Sequence, residues 1–227
     1  QLVRIPEDDL ERQMDALRIF QKGQLLRVAA SDLKGTLPLM KISDSLTWIA
    51  EAVLQEVLNL SWRQLVAKHD RPRRSDGSAC DLDFIIVGYG KLGGLELGYG
   101  SDLDLVFIHD GDPQAETDGA KSLDGATFFA RLGQKIIHLL TTAMASGQLY
   151  EVDMRLRPSG ASGLLVTSLE AFRKYQLESA WTWEHQALVR ARVLTGCARV
   201  AEGFERVRAT ILERARDLPK LQAEVSE

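Results

Sequence analysis

The chain has 227 residues, 28 of them basic and 32 acidic, for a formal charge of -4. That length suits one large or two modest domains, and the acidic balance provides no global positive field to hold a nucleic-acid backbone, so an RNA or DNA partner is not expected. No apolar run approaches the roughly 20 residues that cross a bilayer and no charged-then-apolar leader opens the sequence, which points to a cytoplasmic protein with no membrane partner.

The start at Gln1 and the finish inside a charged helical pattern lead us to expect a piece excised from a larger protein. Residues 7–30 read as a rather polar helix, with Leu10, Met14 and Leu17 at helical spacing and a break at Ser31 and Asp32. After Gly35 and Pro38, the apolar residues Ile42, Leu46, Ile49, Val53, Val57 and Leu60 recur at steps of three and four. This spacing predicts one long amphipathic helix packed at the flank of the fold. Residues 70–81 combine charge, proline and glycine without periodicity and read as an exposed loop, in which Arg71, Arg73 and Arg74 are solvated rather than phosphate-binding. Cys80 and Cys197 lack zinc-type spacing and receive no role.

Residues 82–109 are the richest stretch. Phe84 to Val87 is a β-branched run suited to a buried strand, and Gly88, Gly90, Gly93 and Gly94 break it. Leu105 to Ile108 predicts a second buried strand, with Asp102 and Asp104 at its entrance. The strand period of two sends these carboxylates to one side, where their repulsion makes sense mainly with a divalent cation between them. Gly88 to Gly93 fits a dinucleotide-type G-x-G-x-x-G, but the acidic residue about 20 positions on follows the wrong elements. A Walker loop fails as well, because Leu92 stands where Ser or Thr would follow the lysine.

The acidic loop 109–125 has no calcium-loop spacing. Phe129, Leu132, Ile136 and Leu140 then mark a helix over 126–145, with Phe128 and Leu139 widening its apolar face. Residues 150–157 alternate strictly and predict a strand whose polar face carries Glu151, Asp153, Arg155 and Arg157. A short strand at Leu164–Val166, a cap at Ser168 and a helix over 169–175 follow. The run Trp181 to Arg192 reads as a helix with two occupied faces, and 199–216 as a charged amphipathic helix with Val200, Phe204, Val207 and Ile211 inside. The roles of Glu151, His185, Arg190 and Arg192 stay open.

If the carboxylates meet at one end of a small sheet, Asp102 and Asp104 can bridge two Mg²⁺ ions and Asp153 can complete one shell. The glycine-loop N–H groups at Gly93 and Gly94, the Ser101 hydroxyl and Lys91 would then hold phosphate oxygens, and Arg155 and Arg157 offer guanidinium groups to the same end. That is nucleotidyl transfer from ATP.

Gly93-Gly94, seven residues and Asp102-Leu-Asp104 resemble the signature of the DNA-polymerase-β-type nucleotidyltransferase superfamily. The longer strings Val87 to Leu105, Leu149 to Gly160 and Trp181 to Arg192 closely resemble the bacterial bifunctional glutamine synthetase adenylyltransferase/adenylyl-removing enzymes, and among their two related domains the C-terminal, adenylyltransferase one. The resemblance runs from about Pro38 to Ile211. It implies an α+β fold, a small mixed β-sheet nucleotidyltransferase core over 71–168, with a helical extension over 1–70 and C-terminal helices over 169–227. It further implies that a tyrosine of glutamine synthetase attacks ATP, with two Mg²⁺ ions as cofactors, and that the PII signal protein and glutamine act on the parent protein. Two other readings are carried forward, namely the adenylyl-removing half and a catalytically inert regulatory domain.

Overall fold

The computed structural model describes residues 5, 6 and 9–214, so positions 7–8 and 215–216 of the expected terminal helices lie outside the described residues. Two long helices come first, α1 (Leu10–Leu33) and α2 (Leu39–His69), followed by strand β1 (Phe84–Gly88), the one-turn helix α3 (Gly90–Gly93) and strand β2 (Leu103–His109). Helix α4 (Gly125–Thr141) leads to the short strands β3 (Val152–Asp153) and β4 (Val166–Ser168), then α5 (Leu169–Glu178), α6 (Thr182–Ala187), β5 (Arg192–Gly196) and α7 (Ala198–Leu212). The class is α+β, with a mixed sheet of order β3-β2-β1-β5 and β4 also on β2.

β1 and β2 are continuous apolar runs because both faces of the sheet are covered. The alternation of the strands divides the core in two. Phe84, Ile86, Leu105 and Phe107 pack with α1, α2 and α4, where Ile42, Leu46, Ile49, Val53, Val57 and Leu60 are all buried as their spacing predicts. Ile85, Val87, Val106 and Ile108 face the other way, onto Phe172 of α5 and Val200, Phe204, Val207 and Ile211 of α7. Local chemistry sets the helix starts. Asp124 accepts the Thr127 N–H at 2.7 Å to open α4, and Ser168 accepts the Ala171 N–H at 3.2 Å to open α5, as expected of it.

α1 runs through the expected break at Ser31 to Leu33 and is polar only in part of its circumference. Its buried Arg18 donates to the carbonyls of Leu139 at 3.3 Å and Thr142 at 2.5 Å, near the end of α4, and to that of Gly147 at 2.6 Å. The carbonyls of a helix C-terminus lack internal partners, and a guanidinium supplies donors in a fixed fork. The first helical hairpin is thereby fastened to the segment leading into β3.

Three expectations need correction. The strand over 150–157 shrinks to Val152–Asp153, and the chain turns at once, with the Arg157 N–H donating to the Met154 carbonyl at 3.2 Å. The reason is room: β3 pairs with Leu103 and Asp104, while β4 takes the same edge of β2 at Phe107 to His109, so a longer β3 would compete with it. The helix expected through Arg192 ends at Ala187, passes a 3₁₀ turn at Leu188–Arg190 and becomes β5, which pairs antiparallel with β1. Trp181 and Trp183, on the two faces expected to be occupied, are exposed. It follows that the segment 169–227, expected to be purely helical, contributes a strand to the core.

The loop 70–81 is exposed, but its Arg74 is not free. Asp83, 1% exposed at the start of β1, accepts from Arg74 Nη2 at 3.0 Å and pairs with Arg199 Nη2 of α7 at 3.1 Å. Burial pushes the Asp83 carboxyl up, yet the Arg74 hydrogen bonds and the Arg199 charge outweigh it and hold the group below the usual carboxylate range. A depressed folded pKa gives stability that is complete above the unfolded value of about 3.9 and lost as pH falls through the folded value. Asp83→Asn is therefore expected to cost about 3 kcal/mol at pH 7 in denaturant unfolding, and its difference from the parent should shrink below about pH 4.

Candidate active site

The site forms where β2 begins. Parallel pairing sets Leu103 opposite Val152 and Asp104 opposite Asp153, so the third carboxylate arrives beside the second by strand register. Asp102 precedes the strand, and Asp104 lies inside it rather than at its entrance. The convergence has an electrostatic consequence. Burial, then the charges of Asp102 and Asp153, raise the Asp104 pKa, with Arg155 and Lys91 opposing.

α3 is one turn of helix in place of the expected open loop, and its glycines act mainly by letting chain segments approach. Gly90 adopts φ +54°, and a Cβ there would lie 2.5 Å from Asp104 Oδ2. A side chain at Gly93 would meet the Arg190 carbonyl at 1.9 Å, so this glycine lets the Leu188–Arg190 turn pack against α3. The N–H groups of Gly93 and Gly94 donate within the chain, to Tyr89 at 3.0 Å and Gly90 at 3.1 Å. Both are committed to the helix, which corrects the expectation that they cradle phosphate.

The remaining expected residues divide. Ser101 is half-buried and accepts the Gly98 N–H at 3.2 Å beside a cavity of about 340 Å³ between residues 97–101 and 148–151. Lys91 is exposed and near enough for its charge to act on Asp104. Arg155 folds back on Asp153, donating from Nε at 2.7 Å and Nη2 at 2.5 Å to Oδ2, while its backbone N–H reaches Oδ1 at 2.8 Å. These hydrogen bonds hold the Asp153 carboxyl below its usual range despite partial burial. Arg157 spends its guanidinium on the carbonyls of Met154 at 2.8 Å, Ala161 at 2.9 Å and Gly163 at 3.3 Å. It shapes the turn after β3 instead of presenting a free cation.

Two residues whose roles the sequence left open hold the site together. Arg192, at the start of β5, donates to the Gly93 carbonyl at 3.1 Å and the Leu92 carbonyl at 3.2 Å and pairs with Glu51 of α2 at 2.5 Å. Arg190 pairs with Glu96 at 3.0 Å. His185 is buried with Nε2 at 2.9 Å from the Gln176 carbonyl, a packing role, and Glu151 lends its backbone carbonyl to the Leu103 N–H at 2.9 Å. The signal for Arg192 was present in the β-branched residues Val193 and Thr195 that follow it, which mark a strand and not a helix.

Among the described residues no group of three or more His, Cys, Asp and Glu side chains is gathered closely enough to hold a metal ion. The donor chemistry nonetheless suits a hard cation at the pair, because the carboxylates of Asp102 and Asp104 accept no hydrogen bond and make no ion pair among the described residues. Asp153, opposite Asp104, has its Oδ2 engaged by Arg155, while Oδ1 accepts only the Arg155 backbone N–H among the described residues.

No helix among the described residues is long and apolar enough to cross a membrane. A family described as glutamate-ammonia ligase adenylyltransferase matches residues 1–207. The chain is 72% identical over 226 residues to the bifunctional glutamine synthetase adenylyltransferase/adenylyl-removing enzyme of Pseudomonas putida and 71% identical over 226 residues to that of Pseudomonas aeruginosa. The enzyme so named in Thioalkalivibrio sulfidiphilus is 60% identical over 229 residues. All of this chain is covered in each case, but it spans only 23% to 24% of the relatives' length. With the matching strings spread over β1, β2, β3 and α6, the chain belongs to the glutamate-ammonia ligase adenylyltransferase family.

Proposed function

We propose that this chain is the adenylyltransferase half of a bifunctional enzyme and transfers AMP from ATP to a tyrosine hydroxyl of glutamine synthetase. The observation that carries the reading is the register that sets Asp104 against Asp153 beside Asp102, in a chain so close to enzymes named for this transfer. In the reaction the tyrosine oxygen bonds to the α-phosphorus, the bond from that phosphorus to the β-phosphate oxygen breaks, and pyrophosphate leaves. An unperturbed tyrosine has a pKa of about 10, so its proton must be drawn away.

Asp102, Asp104 and Asp153 would hold two Mg²⁺ ions, which when bound offset the crowded carboxylates, favour the ionised hydroxyl and neutralise the leaving pyrophosphate. Arg155 serves as the resident counter-charge of Asp153 and turns to the triphosphate when ATP arrives, leaving Asp153 free to ligate or to take the proton. Lys91 and Ser101 stand at the same end for phosphate oxygens. Asp153 is a poor proton acceptor while Arg155 engages it, since those hydrogen bonds stabilise its ionised form. The PII signal protein and glutamine would act through parts of the parent polypeptide.

The relatives' name also covers adenylyl removal, in which phosphate attacks the modified tyrosine and ADP is released. Incubation with Mg·ATP labelled at the α-phosphate and unmodified synthetase should transfer label to the synthetase. ADP formation from modified synthetase and phosphate, without such transfer, would establish the removing half instead. An inert domain would do neither.

Asp102→Asn and Asp104→Asn should each lower AMP transfer by at least about a hundredfold with the circular dichroism spectrum unchanged. Normal transfer by either variant would defeat the mechanism. Arg155→Ala should raise the KM for ATP about tenfold, the loss expected for one charge-assisted hydrogen bond, as measured in initial-rate assays. Because the Asp104 pKa is raised, its protonated form persists to higher pH than an ordinary aspartate, and protonation competes with cation binding. The Mg²⁺ concentration for half-maximal rate should therefore climb as pH is lowered towards the carboxylate range.

A further inference from the structure

The outer face of α1 carries a second, unpartnered apolar seam. Ile19, Leu26 and Leu33 recur every seven residues and are 62%, 71% and 91% exposed. Ala16, Gly23 and Ala30 recur at the same interval three residues earlier, and together the six fill the a and d positions of a heptad pattern over two and a half turns of the repeat. The inner face of the helix, with Met14, Leu17, Arg18, Gln21 and Val28, is already buried against the domain. A helix that is apolar on two faces has two partners. Alongside the seam, α1 and α2 enclose a groove of about 760 Å³, with Phe20 and Gly23 on one wall and Ala52 on the other. Small residues at alternate seam positions would let a second helix axis come close.

The flanks of the seam specify the chemistry of the occupant. Lys22, Arg27 and Lys34 border it and pair with no carboxylate among the described residues, while the one acidic flank of α1, Asp15, accepts the Ser146 hydroxyl and Glu56 lies on the α2 wall of the groove. A second copy of this chain would bring the same basic border against it. An acidic border would complement it, as e and g charges do in paired helices. The chain spans 23% of the Pseudomonas putida relative, so most of such a polypeptide lies outside these residues.

We infer that the outer face of α1 docks an amphipathic helix with acidic flanks, supplied by the remainder of the same full-length polypeptide. The docking bears on the candidate site through α1 itself. Arg18 Nε donates to the Gly147 carbonyl at 2.6 Å and Gln21 Nε2 to the Leu149 carbonyl at 2.6 Å, on the segment that leads directly into the strand carrying Asp153. A helix seated on the outer face of α1 thus bears on the same helix whose inner face holds the segment leading into β3.

The test uses the full-length polypeptide. Leu26→Cys and Leu33→Cys are each compared with Ser75→Cys, an exposed loop position, for modification by a neutral maleimide, with peptide-resolved mass spectrometry and labelling in denaturant as the reference for full access. Modification at positions 26 and 33 is expected to be at least tenfold slower than at 75. Rates within twofold of one another would overturn the proposal. A photoreactive residue at position 26, in an equal mixture of isotopically light and heavy chains, is expected to crosslink only within one chain, to an acidic amphipathic segment outside these 227 residues. Light-to-heavy products, which mean a second copy, or products with an unrelated protein would overturn it equally.

Discussion

One edge of β2 is shared by two short parallel strands, β3 at its beginning and β4 at its end, and the candidate site depends on that division. Parallel neighbours must arrive by crossover, so the chain has to leave β2, cross the domain through α4 and return. The return brings Asp153 level with Asp104. Had β3 run on to Arg157, as its alternation invites, β4 would have no place and α5 would lose the strand that leads into it. The brevity of β3 is thus the condition for β4 and the second half of the core that follows it.

The charges around this point are arranged in two tiers. Arg155 neutralises Asp153 directly, while Arg192 and Arg190 act at a distance by fastening α3 to α2 and to the turn before β5. α3 must stay where it is because Gly90 abuts the Asp104 carboxylate and Gly93 abuts the Arg190 carbonyl. The glycines that look like a phosphate cradle in the sequence are here a packing device, with their backbone donors already used.

Much of the fold was legible. The step pattern from Ile42 to Leu60 marked the long helix because a one-sided apolar stripe leaves a strong period, and the cap at Ser168 and the interior of α7 were readable for the same kind of local reason. What failed was set by tertiary competition. Alternation over 150–157 states a capacity for strand, but the available partner edge decides its length. The periodicity from Trp181 to Arg192 concealed a change of element because helix and strand spacings coincide over so few residues, and Arg192 gained its partners only once β5 lay beside α3. The candidates Asp102, Asp104 and Asp153 came from spacing and resemblance, whereas the engagement of Arg155 and Arg157 with their own neighbourhood follows from a turn that no spacing rule announces.

The two-residue length of β3 carries a mechanical consequence. Asp104 stands just before the stretch of β2 that pairs with β1, its carbonyl accepting the Tyr89 N–H at 2.9 Å, whereas Asp153 hangs from two ladder positions and the turn that Arg157 gathers. Sub-global opening is easiest where few buried contacts and few ladder bonds must be broken. Asp104 is therefore the carboxylate set next to the central sheet and Asp153 the one on the most easily opened element, so the separation between these two can change without loosening the sheet.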